Sequence, residues 1–178
     1  MVLVALLMIA CSKNTSPNNP VLPTKDTITW SFNTATSTLT INGSGAMENY
    51  DEKTNLPPWS QYNTQIKQVQ IENGVTSIEV AAFMSCSSLS SVTISNSVTS
   101  IGAGAFQGCT ALSSITIPKS VTSIGNLAFY GCSLNSITCL NPTPIAITDY
   151  VFANVNTISC ILSSFCFCCT VPASAGME

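Results

Sequence analysis

Nine cysteines and no histidine bound the chemistry open to this 178-residue chain. Without an imidazole there is no Ser–His or Cys–His nucleophile, and the most frequent zinc ligand is missing as well. Cys86, Cys109 and Cys132 are separated by 23 residues each time. A metal or redox ladder is one reading of that spacing. The reading adopted here is a small buried hydrophobe recurring at one position of a repeat. In an exported protein, strands about 4.8 Å apart also leave a disulfide between neighbours open, with one of the three thiols left over. Cys160, Cys166, Cys168 and Cys169 crowd the C-terminal end without the paired C-x-x-C spacing of a thiolate zinc site. They read as incidental thiols, and no metal site is expected.

Two further segments invite a chemical reading. "SVTSIGAGAFQGC", residues 97–109, holds three close glycines, and glycine loops cradle phosphates. Such a loop must lead from a strand into a helix whose N-terminus faces the anion. The next related segment, "SVTSIGNLAFYGC" at 120–132, keeps only Gly125 and Gly131 of the glycines. In "ENYDE", residues 48–52, the acidic side chains do not match the spacing of an EF-hand calcium loop. Asp51 and Glu52, adjacent on one loop, are weak evidence for a glycosidase pair, and a solvated loop is the better reading. Charged residues make up 7% of the chain and the net charge is -3, so no basic patch exists to neutralise phosphates and no nucleic-acid partner is expected. A hydrophobic content of 46% argues against disorder. No catalytic constellation is found, and neither an enzyme nor a cofactor is expected.

The elements that position these residues are repeats. Val75-Thr76-Ser77-Ile78 returns as Val98-Thr99-Ser100-Ile101 and as Val121-Thr122-Ser123-Ile124, 23 residues apart. Phe83, Phe106, Phe129 and Phe152 keep the same step. A second ladder runs Ile66-x-x-Val69-x-Ile71, Leu89-x-x-Val92-x-Ile94 and Leu112-x-x-Ile115-x-Ile117. It continues one residue early as Leu134-x-x-Ile137-x-Cys139. "LSSVTI" alternates and is β-branched, which predicts a short strand with Val92 and Ile94 inward and Thr93 outward. "SVTSI" predicts a second extended segment, and "GAGAFQGC" a tight return bend with one buried Phe and one buried Cys. One such unit cannot bury its own apolar edge, whereas a stack can, its strands forming a continuous parallel ladder. The predicted core is Val92, Ile94, Val98, Ile101, Phe106, Cys109, Ile115, Ile117, Val121, Ile124, Phe129 and Cys132. Ser90, Ser91, Thr93, Ser113, Ser114, Thr116, Asn135, Ser136 and Thr138 are predicted to line one exposed face. That face is either a merely soluble β-surface or a neutral, hydroxyl-rich binding surface.

A stack needs caps. "TITWSFNTATSTLTINGSG" predicts a hairpin over the first coil, with Ile28, Trp30 and Phe32 alternating on one strand and Leu39 and Ile41 on the other. "PPWSQYNTQI" predicts a short helix with Trp59, Tyr62 and Ile66 on its inner face. At the other end, "ISCILSSFCFCCTVPASAGME" is apolar and cysteine-rich, and reads as a truncated or frameshifted end with a sticky surface.

The spacing and the LxxVxI pattern resemble leucine-rich repeats. More narrowly, "LSSVTISNSVTSIGAGAFQGC" and "LSSITIPKSVTSIGNLAFYGC" resemble the BspA-type leucine-rich repeat family of bacterial surface proteins. The upstream "STLTINGSGAMENYDEKTNLPPWSQYNTQIKQVQIENGVTSI" resembles the segment that introduces those repeats. The likeness covers roughly residues 27–158. Glu79 departs from it, since the later copies carry Gly102 and Gly125, and suggests a more exposed turn in the first coil.

"MVLVALLMIAC" is too short to span a bilayer as a helix and fits the apolar part of a secretory signal. Its end, Met8-Ile9-Ala10-Cys11, resembles a bacterial lipobox, with Cys11 the lipidated residue. The expected organisation is a lipoprotein signal over 1–11, a polar tether over 12–26, an N-terminal cap over 27–65, repeats over 66–158 and an atypical tail over 159–178. The expected fold is mainly β: a leucine-rich repeat solenoid of about four 23-residue coils under an N-terminal β-hairpin cap. The lipobox, the repeat face and the lack of a catalytic constellation point to a non-enzymatic interaction protein held at the bacterial cell envelope, outer membrane or cell surface by a lipid anchor. The family resemblance is what implies adhesion, to protein or glycan ligands on host or bacterial surfaces. Two alternatives stand beside it: a glycan-binding accessory lipoprotein using Trp30, Tyr50, Trp59 and Tyr62, or a fragment of a longer adhesin.

Overall fold

The computed structural model describes residues 27–148 and 150–152. The signal and tether with Cys11, and the tail with Cys160, Cys166, Cys168 and Cys169, lie outside the described residues. Strand β1 (Thr27–Asn33) and strand β2 (Thr38–Ala46) form an antiparallel hairpin with Trp30 opposite Ile41 and Phe32 opposite Leu39. The turn is held by the Asn33 side chain, whose Oδ1 accepts the N–H groups of Ala35 and Thr36. β2 does more than cover the stack. Its first half pairs in parallel with β3 (Gln68–Ile71), and its end pairs in parallel with β4 (Val75–Ile78). It therefore takes the place of both strands of a preceding coil, with a register shift at Gly45/Ala46 where it turns the corner.

β3 and β4 make the first coil, β5 (Ser91–Ile94) and β6 (Ser100–Ile101) the second, and β7 (Ser114–Ile117) and β8 (Ser123–Ile124) the third. β9 (Ser136–Cys139) and β10 (Ala146–Ile147) begin a fourth. Ladder β4–β6–β8–β10 is unbroken, with Ser77, Ser100, Ser123 and Ala146 in one row. The return bends form a further ladder that the sequence pattern did not announce. Ala81, Phe83 and Ser85 donate to the carbonyls of Ala103, Ala105 and Gln107 in the next coil, and Gly104, Phe106 and Gly108 donate to those of Asn126, Ala128 and Tyr130. The bends and the second strands thus tie successive coils together, and the first strands add a third ladder wherever they pair.

Stacking puts like residues over like. The rings of Trp59, Phe83, Phe106, Phe129 and Phe152 form one internal column, with successive centroids 5.6, 5.3, 5.4 and 5.6 Å apart. Val98, Ile101, Phe106, Cys109, Ile115, Ile117, Val121, Ile124, Phe129 and Cys132 are buried as predicted. Glu79 is half-buried, and its carboxylate accepts the Ser77 hydroxyl at 2.6 Å. A Cβ at Gly102 would come within 2.6 Å of the Glu79 carbonyl carbon, and one at Gly125 within 2.6 Å of the Ala103 nitrogen. The later coils need glycine there because backbone lies directly beneath.

Three expectations need correction. The helix over "PPWSQYNTQI" is a single 3₁₀ turn, Ser60–Tyr62. Beyond it the N–H groups of Gln65 and Ile66 both turn to the Tyr62 carbonyl, and those of Lys67 and Gln68 turn to the Ser37 carbonyl, where β3 starts. Trp59 and Ile66 are still fully buried. The parallel ladder of first strands is not continuous: β3 pairs with β5 and β7 with β9, but β5 and β7 are unpaired. With that seam open, Val92 and Ile94 are only half-buried, whereas their counterparts Val69, Ile71, Ile115 and Ile117 lie between 0% and 4% exposed.

Candidate functional site: the exposed strand face

The alternation of each first strand turns its apolar residues inward and leaves Ser, Thr and Gln outward. Register then aligns them. Thr38, Gln68 and Ser91 form one row and Thr40, Gln70 and Thr93 a second. Beyond the seam, Ser114 pairs with Ser136 and Thr116 with Thr138. Ser90, Ser91, Thr93, Ser113, Ser114, Thr116 and Asn135 are exposed, and Ser136 and Thr138 half-exposed. Of the nine predicted face residues, Ser91, Thr93, Ser114, Thr116, Ser136 and Thr138 stand in these outward rows, while Ser90, Ser113 and Asn135 are exposed at the coil entries just before the strands. The structure adds Gln68, Gln70 and Thr40, which the sequence reading passed over. Gln68 and Gln70 stand 23 residues before Ser91 and Thr93, so the repeat step alone could have found them. Thr40 needed the knowledge that β2 serves as a coil.

The strand segments of this face carry no formal charge, Lys67 and Glu72 flanking β3 and Lys119 following β7. Serines at the coil entries are partly satisfied by main chain: Ser90 Oγ donates to the Lys67 carbonyl at 3.2 Å. A neutral surface of hydroxyls and carboxamides can both donate and accept hydrogen bonds. It offers no nucleophile with a base beside it and no cluster of charge.

The cysteine column lies inside, not on this face. Cys86, Cys109 and Cys132 are buried free thiols. Cys109 Sγ donates to the Phe83 carbonyl at 3.2 Å and Cys132 Sγ to that of Phe106 at 3.1 Å. Cys86 reaches Asn63 Oδ1 at 3.6 Å, so Asn63, 23 residues earlier, opens the column. Burial pushes the Cys86 thiol up to about 12. Hydrogen bonding with Cys132, and burial after it, push the Cys109 thiol up as well. Cys86 and Cys109, held neutral in this way, serve as packing groups that donate to neighbouring oxygens.

Asp51 is equally occupied. Its carboxylate accepts the Thr54 hydroxyl and the N–H groups of Thr54, Lys53 and Asn55, which hold it well below the usual carboxylate range. It organises its own loop, while Glu52 is exposed beside it. Of the four aromatics considered as a sugar platform, Trp59 is 0% and Tyr50 8% exposed. Trp59 Nε1 donates to the Ala82 carbonyl at 2.9 Å. Trp30 packs edge-on against Trp59, and Tyr62 stacks on Phe32 at 4.5 Å. These rings seal the end of the stack.

Coils of this size, an in-register first-strand face and a phenylalanine column define a leucine-rich repeat solenoid. The profile of the BspA type leucine rich repeat region matches residues 54–166 in six copies, more than half of the chain. The chain belongs to the BspA-type leucine-rich repeat family. It is similar to a leucine-rich repeat protein from Eubacterium ventriosum at 30% identity and a TM-score of 0.58, over 75% of this chain and 42% of that one. It also matches a leucine-rich repeat protein from Bacteroides ovatus at 26% identity and a TM-score of 0.49, over 79% of this chain and 41% of that one. The chain therefore spans about two-fifths of the length of either solved protein. No curated protein is a significant match.

Proposed function

We propose that this protein is a non-enzymatic interaction module at the bacterial cell surface, anchored through Cys11 and adhering to proteins of host or bacterial surfaces by its first-strand face. The family supports a protein-interaction role. The observation that carries the choice of surface is the uncharged, in-register array of Gln68, Gln70, Ser91, Thr93, Ser114, Thr116, Ser136 and Thr138. Solenoids commonly bind through extended repeat faces of this kind, where many modest contacts add up. Burial of Trp59 and Tyr50 removes two of the four cap rings considered for sugar stacking, which favours a protein ligand on the strand face.

The test is a binding screen of the full chain against immobilised extracellular-matrix proteins and a glycan array. It is paired with the double variant Thr93→Lys, Thr116→Glu and with protease shaving of intact cells. Retention on a matrix protein that the double variant loses supports the reading. Retention unchanged by the variant moves the site elsewhere, and repeats wholly shielded on intact cells defeat surface adhesion. Metabolic labelling with a fatty-acid analogue, abolished by Cys11→Ser, tests the anchor.

A further inference from the structure

The seam between the second and third coils coincides with a proline. In every other coil the residue after the first strand donates its N–H to the coil below: Glu72 to Ile41 at 3.0 Å, Ser95 to Ile71 at 3.1 Å and Leu140 to Ile117 at 3.0 Å. The equivalent residue of the third coil is Pro118, which has no N–H to give the Ile94 carbonyl. The coil-entry bonds follow suit. Ser90 and Ser91 donate to Lys67, and Asn135 and Ser136 to Ser113. Among the described residues, the matching step from Ser113 and Ser114 to Ser90 is unpaired. A cleft of about 320 Å³ opens there, lined by Val92, Thr93, Ile94, Asn96, Thr116, Pro118 and Leu140.

The opening is one-sided. Across the same step Phe106 and Phe129 stack at 5.4 Å with their planes 2° apart, like the stack below. Thr122 still donates to Thr99 and Gly125 to Ile101, both at 2.8 Å, and Phe106 and Gly108 to the third-coil bend. Two ladders and the ring column are therefore closed, while the first-strand ladder is open.

We infer that this seam is a flexure point: the stack bends about its phenylalanine column between the second and third coils, and the two halves of the first-strand face splay or close as it does. The Gln68–Thr93 rows form one rigid half and the Ser114–Thr138 rows the other. Hydrogen bonds resist opening elsewhere; here none must break. A partner spanning both halves would meet a surface whose spacing adjusts by bending, where a rigid solenoid could not. The device exists whether or not the face binds, so its test needs no ligand.

Amide hydrogen exchange of the intact chain reads it directly. By the repeat register, Ser114 and Thr116 are the amides that a closed ladder would tie to Ser90 and Val92. They are expected to exchange at least tenfold faster than Ser91 and Ser95, which face β3, while Phe106 and Gly108 stay protected. Pro118→Ser restores the residue type of the second coil, and should raise the protection of Ser114 and Thr116 at least tenfold without slowing Phe106. Spin labels at Thr93→Cys and Thr116→Cys should give a broader distance distribution than labels at Thr116→Cys and Thr138→Cys across the paired β7–β9 step, in a chain whose nine native cysteines are changed to serine or alanine. Equal protection of Ser114 and Ser91 in the parent chain, no gain in Pro118→Ser, or equal label widths each overturns the inference. Should Pro118→Ser fold poorly, Pro118→Ala supplies the same N–H.

Discussion

Trp59 lies ring over ring on Phe83, with centroids 5.6 Å and planes 20° apart. A residue of the cap thus occupies the place that phenylalanine holds in each coil below. Its indole N–H closes the contact on the Ala82 carbonyl at 2.9 Å. The column therefore starts in the cap, and the cap is part of the solenoid.

Removing the first ring should be as costly as removing one from the middle. Trp59→Ala and Phe106→Ala are each expected to lose about 3–5 kcal/mol, the usual cost of deleting a buried aromatic. Trp59→Phe keeps the stack but strands the Ala82 carbonyl, and should cost about 1–3 kcal/mol. Urea unfolding followed by far-ultraviolet circular dichroism measures all three. A Trp59→Ala midpoint equal to the parent's would show that the cap is dispensable.

The glycines of the bends should divide by mechanism. At Gly102 a Cβ meets backbone at 2.6 Å, so Gly102→Ala must push two coils apart. It should destabilise by more than about 2 kcal/mol. Gly104 has φ of 61° and meets only the flexible Gln107 side chain at 3.2 Å, so Gly104→Ala should cost only about 1 kcal/mol. One coil on, Leu127 has φ of 58°, and Tyr150, at the same step again, has φ of 58° and is 69% exposed. Tyr150→Gly removes the left-handed strain with little packing to lose and should stabilise by about 0.5–1 kcal/mol. Thermal unfolding of the three variants decides the order.

The cysteine column predicts a pH dependence. Cys86 is shifted from an ordinary value near 9 to about 12 in the fold. A thiol raised in this way keeps its stabilising effect below its unfolded pKa and loses it as pH rises towards the folded one. Stability should be level from pH 6 to about 8 on this account and fall from about pH 9 upward. Cys86, Cys109 and Cys132 should react with Ellman's reagent only as the chain unfolds. Prompt reaction of Cys109 at pH 8 in the native state would contradict the buried assignment.

Substitutions on the strand face should separate folding from binding. Thr116→Lys alters an exposed hydroxyl whose neighbours across β9 are also polar. Its effect on stability should lie within about 0.5 kcal/mol. Affinity for a matrix protein retained by the parent should fall about tenfold, equivalent to about 1.4 kcal/mol. Surface plasmon resonance beside a melting curve checks both; a lower melting temperature with unchanged affinity would reverse the assignment.

Much of this protein is written in its sequence because stacking repeats one environment. Phe83, Phe106 and Phe129 must be alike, since each ring rests on the next, and a constant 23-residue step makes that requirement visible. The outward Ser and Thr positions follow from the same step and from alternation along a strand. What the tertiary structure decided concerns contacts between unlike segments. Trp59 joined the phenylalanine column because the chain between β2 and β3 folds back over Phe83, which no repeat announces. The return bends became a ladder because their main-chain groups, whose direction side-chain pattern does not encode, meet across coils. Pro118 stands at the step where the first-strand ladder is open, and its missing N–H matters only because stacking sets a neighbouring carbonyl opposite it.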